Sequence, residues 1–206
     1  MILYPSIPGS KDAPIGNQTI AFYKYDGNNL RWEYSKKRGW HKFGSRTTMF
    51  DESSPEFGES IELFLDTVAP EVENILYKKY RHVNIDSVTV FTEYFGDKSI
   101  AGIHAKDDVK KLKLFDVAIN DKFITPKLFV KHFGNLDCAA EVIYQGILTE
   151  DFIKNVQENN LDNTLFEGVI CKGEDTGEIW RCKVKTNAYK EILKQLYDKS
   201  WERFWE

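Results

Sequence analysis

Cysteine is scarce in this chain, and its distribution argues against the two commonest structural uses of it. The 206 residues hold three, Cys138, Cys171 and Cys182. An odd number with no close Cys-x-x-Cys spacing disfavours both a disulfide framework and a structural zinc site, so all three read as buried thiols in strands. Long apolar runs are missing too. Nothing approaches the roughly 20 residues that a membrane-spanning helix needs, and Met1-Ile2-Leu3-Tyr4-Pro5 lacks the basic flank and apolar stretch of a signal peptide. The expectation is a soluble, cytoplasmic protein with no membrane partner. Nor is there an excess of positive charge: 28 Lys and Arg face 32 Asp and Glu, a formal net charge of −4. A surface that holds nucleic acid everywhere by neutralising phosphates is therefore excluded, and any such contact must be local. Internal repeats, low-complexity tracts and linkers are absent. What is abundant is core material, 42% hydrophobic and 14% aromatic residues, enough for a sizeable core in one domain over residues 1–206.

Proline and glycine at positions 5, 8, 9, 14 and 16 punctuate the first 18 residues too often for a helix or a central strand. From Gln18 the run Thr19-Ile20-Ala21-Phe22-Tyr23 predicts a strand that ends at Lys24, before the turn residues Asp26-Gly27-Asn28-Asn29. Leu30 to Tyr34 and Trp40 to Phe43 predict a hairpin with the basic tip Lys36-Lys37-Arg38-Gly39. Helical spacing between Glu56 and Tyr80 predicts two helices divided at Pro70. Further strands are expected at 87–95, 113–119, 138–144, 165–172 and 178–185, with short helices at 126–132 and 150–157. Residues 187–206, with Tyr189, Ile192, Leu193, Leu196, Tyr197, Trp201 and Phe204, predict an amphipathic C-terminal helix. The fold class is α+β with mostly antiparallel sheet.

Three groups of residues could carry chemistry. Lys24 leaves a buried strand just before a glycine turn where backbone can approach a ligand closely; taken alone, a surface lysine beside a turn is the plainer reading. Lys183 and Lys185, two apart on a strand, share one face. Their ammonium groups repel unless an anion lies between them, although a lysine-rich edge strand would look the same. Glu93 and Glu167 lie in apolar strand-like runs, where an unpaired carboxylate is costly. A ribose hydroxyl, a magnesium ion or a structural lysine or arginine would each satisfy them.

The order of these residues narrows the choice. Lys24 before its glycine, Ser45-Arg46-Thr47, Glu93 on a strand, Leu114-Phe115-Asp116-Val117, Glu167-Gly168 and Lys183-Val184-Lys185 resemble the ordered motifs of the covalent nucleotidyltransferases: DNA ligases, RNA ligases and capping enzymes. The resemblance spans about residues 20 to 190. Asn29 stands where DNA ligases and capping enzymes usually carry arginine, as in RNA ligases of the phage and kinetoplastid-editing type that seal nicked duplexes. Phe91-Thr92-Glu93-Tyr94-Phe95-Gly96 also resembles the RNA-ligase form of the glutamate motif. Arg46 takes the arginine role, with Arg31 a competing candidate. A phage-encoded source is among the options.

The resemblance implies an adenylation-domain fold and an ATP-dependent RNA ligase that uses Mg²⁺ or Mn²⁺; a DNA-nick ligase or another AMP-transferring enzyme is the alternative, and a noncatalytic nucleotide-binding module a more distant one. Lys24 would attack the α-phosphate of ATP, expel pyrophosphate and carry AMP as a phosphoramidate. An ordinary lysine, with pKa ~10.4, is only about 0.1% neutral at pH ~7.4, a deficit worth roughly 4 kcal/mol, so neighbouring cations must help free the amine. It further implies that Lys183 and Lys185 contact phosphate, Glu167 the metal, Glu93 the ribose hydroxyls, Phe115 the adenine, and Asn29 and Arg46 the ribose and phosphate region. AMP would pass to a 5′-phosphate RNA end that a 3′-hydroxyl then attacks. About 20 residues follow Lys185, too few for an OB barrel, so a minimal form without an OB domain is expected. The Lys36–Arg38 tip with Trp40, His41 and Lys42 offers charge and aromatic faces to RNA, or is simply a solvated hairpin end.

Overall fold

The computed structural model describes residues 1–97, 107–162 and 164–205, the side chains of Arg203 and Phe204 excepted. In chain order the strands are β1 (Gln18–Lys24), β2 (Asn28–Ser35), β3 (Gly39–Ser45), β4 (Met49–Phe50), β5 (Val88–Phe95), β6 (Lys111–Ile119), β7 (Lys122–Phe123), β8 (Val142–Ile147), β9 (Gly168–Asp175) and β10 (Glu178–Lys185). The helices are α1 (Glu59–Thr67), α2 (Ala69–Tyr80), α3 (Pro126–Phe133), α4 (Glu150–Gln157), α5 (Asn187–Tyr197) and α6 (Glu202–Trp205). Every pairing between these described strands is antiparallel, in keeping with the expected mostly antiparallel sheet. The chain forms two compact units: Met1–Pro5 with Asp26–Ala140, and Ser6–Tyr25 with Glu141–Glu206.

The first unit holds a six-stranded sheet in the order β4-β3-β2-β5-β6-β7. Its core is aromatic. Trp32 of β2 stacks on Phe64 of α1 with ring centroids 4.1 Å apart, and its indole N–H, which burial would otherwise leave orphaned, donates to Thr92 Oγ1 at 2.9 Å. The two helices divide as Pro70 requires. Proline has no N–H to give, so it sits in the first turn of α2, where no intrahelical partner is needed. On β6, Phe91 pairs with Asp116 and Thr92 with Leu114, so Phe115 is the extra residue of a bulge.

The second unit holds a four-stranded sheet in the order β10-β9-β1-β8. Thr19 to Phe22 are all buried, which suits an inner strand covered on both faces. Alternation sends Ala21, Val169, Cys171, Cys182 and Val184 into a core with Phe152 and Val156 of α4 and leaves the other sheet face to Lys24, Lys183 and Lys185. Threonine hydroxyls cap both longer helices: Thr149 accepts from Phe152 N at 3.0 Å and Thr186 from Tyr189 N at 3.1 Å.

Several boundaries differ from expectation for physical reasons. The strand expected at 138–144 begins only at Val142, because Leu114 clasps the preceding stretch, donating to Cys138 O at 2.7 Å and accepting from Ala140 N at 2.7 Å. Cys138 is thus not a strand thiol, whereas Cys171 and Cys182 are buried cross-strand partners. The strand expected from Leu165 starts at Gly168, since the Asn159 side chain holds Leu165 through both its N–H and its carbonyl. The C-terminal helix breaks at Asp198, where φ is +43°, and resumes at Glu202; Glu206 and the Phe204 side chain lie outside the described residues. The two-residue strands β4 and β7 were too short to show any period. No described helix is long and apolar enough to cross a membrane.

Candidate functional site

In the second unit three adjacent strands set the site. Lys24 of β1 and Lys185 of β10 both pair with Gly168, the first residue of the intervening β9. With neighbouring strands about 4.8 Å apart, the two lysine backbones flank Gly168 across roughly 10 Å. Gly168 has φ +144°, and a Cβ there would overlap Val184 O; only glycine gives this conformation and this closeness together.

The residue before it, Glu167, is where the two lysines meet. Lys24 Nζ donates to Glu167 Oε2 at 2.7 Å and Lys185 Nζ lies 3.0 Å from Oε1. The carboxylate is 4% exposed, Lys185 7% and Lys24 20%, so one negative charge bridges two ammonium groups largely out of water. Two ammonium groups converging on one carboxylate place positive charge where a phosphate could be held. The Lys185 ammonium also sits over the rings of Tyr189, at 5.3 Å, and Trp205, at 5.8 Å. Lys183 lies two residues back on the same face, half-buried, opposite Ile170.

Two residues that the sequence reading passed over belong to this geometry. Thr186 donates from its N–H to Glu167 O at 2.9 Å and from Oγ1 to Phe166 O at 2.9 Å, which fixes the backbone that aims the carboxylate. Only its place as the cap between a strand and a helix could have drawn attention to it. Lys172, buried, lies 4.9 Å from the Phe22 ring centroid and shares the face of Lys183 and Lys185. The alternation of β9 was the available signal.

In the first unit Asn29, Glu93 and Lys113 stand abreast on β2, β5 and β6. Asn29 Oδ1 is buried and, among the described residues, accepts no hydrogen bond, so the side chain presents an acceptor beside Glu93. A Cβ on Gly27 would overlap Tyr94 O, and this close approach seats the turn that leads to Asn29. Arg46 is exposed and follows directly on the Leu30–Ser45 pair. Arg31 is committed to structure: its Nε donates to Ser45 O at 2.9 Å and its Nη1 to Ile2 O at 3.1 Å, and burial lowers its pKa. Phe115 is half-buried, with its ring edge-on to Tyr4 at 5.1 Å. Of the basic hairpin, Trp40 donates to Glu73 Oε1 at 2.7 Å and the exposed Lys42 to Glu33 Oε1 at 2.5 Å, while Lys36, Lys37 and Arg38 at the tip are exposed as well.

Among the described residues no group of three or more His, Cys, Asp or Glu is placed to hold a metal ion. The carboxylate available in the lysine cluster is Glu167. Both of its oxygens face ammonium groups, so Mg²⁺ or Mn²⁺ would share it with Lys24 and Lys185 and take its remaining ligands from substrate phosphates and water, as in nucleotide sites with one or two carboxylates.

No protein-family model matches the sequence, and no curated protein matches it. Solved structures do. A Naegleria gruberi RNA ligase with pyrophosphate superposes with TM-score 0.64 at 15% identity, over 95% of this chain and 58% of that one. A variant of that ligase with AMP and Mn gives TM-score 0.65 at 14% identity, over 93% and 58% of the two chains. Another variant, with ATP and Mn, gives 0.62 at 16%, over 93% and 58%. The chain thus spans under two thirds of the length of these ligases. At such identities the likeness establishes the fold, and it is the expected one: the nucleotidyltransferase fold, of mostly antiparallel sheets with helices.

Proposed function

We propose that this chain is an ATP-dependent RNA ligase whose Lys24 carries AMP. The observation that supports this best is the meeting of Lys24 and Lys185 on the buried carboxylate of Glu167 across Gly168. A nucleophilic lysine needs a fixed direction, a place for its proton and positive charge near the phosphate it attacks, and this cluster offers all three. The hydrogen bond to Oε2 fixes Lys24 Nζ and holds a proton that Nζ must shed. Lys185, on Oε1, draws part of the carboxylate's charge away and so lowers the cost of freeing the Lys24 amine.

In the proposed first step Nζ bonds to the α-phosphorus of ATP as the bond to the bridging oxygen breaks, and pyrophosphate departs with that electron pair. Lys183 and Lys185 balance charge on the phosphates. Mg²⁺ or Mn²⁺, when bound at Glu167, supplies further neutralisation of phosphate charge. Asn29, with its buried Oδ1, and Glu93 accept from ribose hydroxyls, Phe115 stacks on adenine, and Arg46 contacts the phosphate region. AMP then passes to the 5′-phosphate of an RNA end, and a 3′-hydroxyl displaces it to leave a phosphodiester. RNA as the acceptor is favoured by Asn29, by the form of the Glu93 motif and by fold neighbours that are RNA ligases; the motifs favour the phage and kinetoplastid-editing type.

The test begins with α-labelled ATP. The wild-type chain is expected to become labelled and Lys24→Ala to remain unlabelled. The labelled chain is then offered 5′-phosphorylated RNA and DNA, single-stranded and nicked. Transfer to RNA ends is the expected result, and transfer to DNA alone would overturn the RNA assignment.

A further inference from the structure

The C-terminal segment holds chemistry that the adenylation step does not use. Twenty residues of unbroken helix would carry Trp205 roughly 30 Å from Lys185. Instead the break at Asp198, φ +43°, lets the chain return, and Trp201 and Trp205 come to rest over a row of lysines. Lys190 Nζ lies 5.2 Å from the Trp201 ring centroid and 5.3 Å from that of Trp205. Lys194 Nζ lies 5.4 Å from Trp201, and Lys185 caps the other end at 5.8 Å from Trp205.

Charge and ring geometry both point to a ligand. Lys190 and Lys194 are one turn apart on α5 and repel each other. Lys185 is answered by Glu167 at 3.0 Å and Lys194 by Glu191 at 2.7 Å, whereas among the described residues Lys190 Nζ meets the two indoles, weaker partners than a carboxylate. The indoles are tilted by 59° with centroids 6.3 Å apart, so neither covers the other's face, and both side chains are only partly buried. Cations interleaved with partly exposed indoles are the combination that holds an unpaired nucleic-acid strand: phosphates lie on the ammonium groups and bases stack on the rings.

We propose that Trp201 and Trp205, with Lys190 and Lys194, form a binding surface for unpaired nucleotides of the RNA strand that the ligase seals. This rests on the reading of the chain as an RNA ligase and concerns unpaired nucleotides that flank the joint, since the nick-sealing type favoured by the motifs joins ends held in a duplex. The surface leads towards Lys185, so it delivers an RNA end to the phosphate-binding lysines. Stacking requires that the bases facing the indoles are not in a duplex.

The experiment titrates the full chain, Trp201→Ala, Trp201→Phe and Lys190→Glu into a dye-labelled, 5′-phosphorylated single-stranded RNA and reads fluorescence anisotropy at several salt concentrations. AMP labelling from ATP is measured on the same preparations. Trp201→Ala is expected to weaken binding about 5- to 100-fold, and Trp201→Phe to recover most of it. Lys190→Glu should weaken binding and reduce the slope of log K against log salt by about one. AMP labelling should be unchanged in all three. Should circular dichroism show Trp201→Ala unfolded, Lys190→Glu decides. RNA affinity equal to wild type in Trp201→Ala and Lys190→Glu, or blunt duplex RNA bound as tightly as the single strand, overturns the surface. A wild-type chain that takes no AMP while RNA binding still falls in Trp201→Ala would refute the ligase reading and leave the surface standing.

Discussion

Replacing Glu167 by glutamine removes one negative charge and almost no volume, so its effect isolates the electrostatics of the lysine cluster. In the native chain the carboxylate answers two ammonium groups at 2.7 and 3.0 Å. Two unit charges about 4 Å apart attract by about 4 kcal/mol at an effective dielectric of ~20, and removing one partner of a buried pair costs about 3–5 kcal/mol. Lys185, at 7% exposure, is subject to nearly the full cost; Lys24, at 20%, recovers part of its loss through water. The expected destabilisation is therefore about 3 kcal/mol, which for a chain of this size lowers Tm by roughly 6–12 °C. Urea denaturation of wild type, Glu167→Gln, Lys185→Met and the double variant measures it. The double variant should be more stable than the sum of the single losses allows, with a coupling of about 1 kcal/mol or more. A Glu167→Gln chain within about 0.5 kcal/mol of wild type would refute the argument, since that is the range of an ordinary surface substitution.

Other outcomes follow from the same geometry. Gly168→Ala places a Cβ against Val184 O at positive φ and is expected to cost about 3 kcal/mol or more; unchanged thermal unfolding would contradict the required closeness. Thr186→Val keeps shape but removes the hydroxyl that caps α5 and holds Phe166 O. It should cost about 1–2 kcal/mol in urea denaturation and slow AMP labelling, and a variant with native labelling rates would remove Thr186 from the positioning of Glu167. Away from the site, burial acts to raise the pKa of Glu33, yet hydrogen bonds from Lys42 and the Met1 amino group outweigh it and hold the group below its ordinary value. A depressed carboxylate contributes stability that is present above its unfolded pKa and is lost as pH falls through the folded one. Glu33→Gln should thus be less stable than wild type at neutral pH, with the difference closing on acidification; a pH-independent difference would contradict this.

Much of this architecture could be read from the residues alone because the relevant signals are local. The Thr19–Tyr23 run, the Pro70 break and the bounds of α4 and β10 follow from period and turn chemistry, and the sites of Lys24 and Lys185 at strand ends follow with them. Less was legible where distant residues intervene. Leu114 clasps Cys138 and Ala140 from far along the chain, and Asn159 delays the start of β9; neither contact leaves a mark on the local pattern. The division into two compact units is of the same kind, since each unit is assembled from separated stretches of chain. Within the site, the sequence places lysine and glutamate in order, but the shared carboxylate depends on strand register: Gly168 pairs with Lys24 on one side and Lys185 on the other. The same limit applies to Thr186 and to the return of Trp205 over Lys185, which a straight amphipathic helix would forbid.

Lys24 is proposed to take AMP from ATP, and mass spectrometry tests this most directly. Wild-type chain incubated with ATP and Mg²⁺ should gain the mass of one adenylyl group, and fragmentation of the modified peptide should locate it on Lys24. The adduct should disappear in acid, as a phosphoramidate does, and should not form in Lys24→Ala. An adenylyl group on any other residue, or an unmodified wild-type chain under these conditions, would contradict the account.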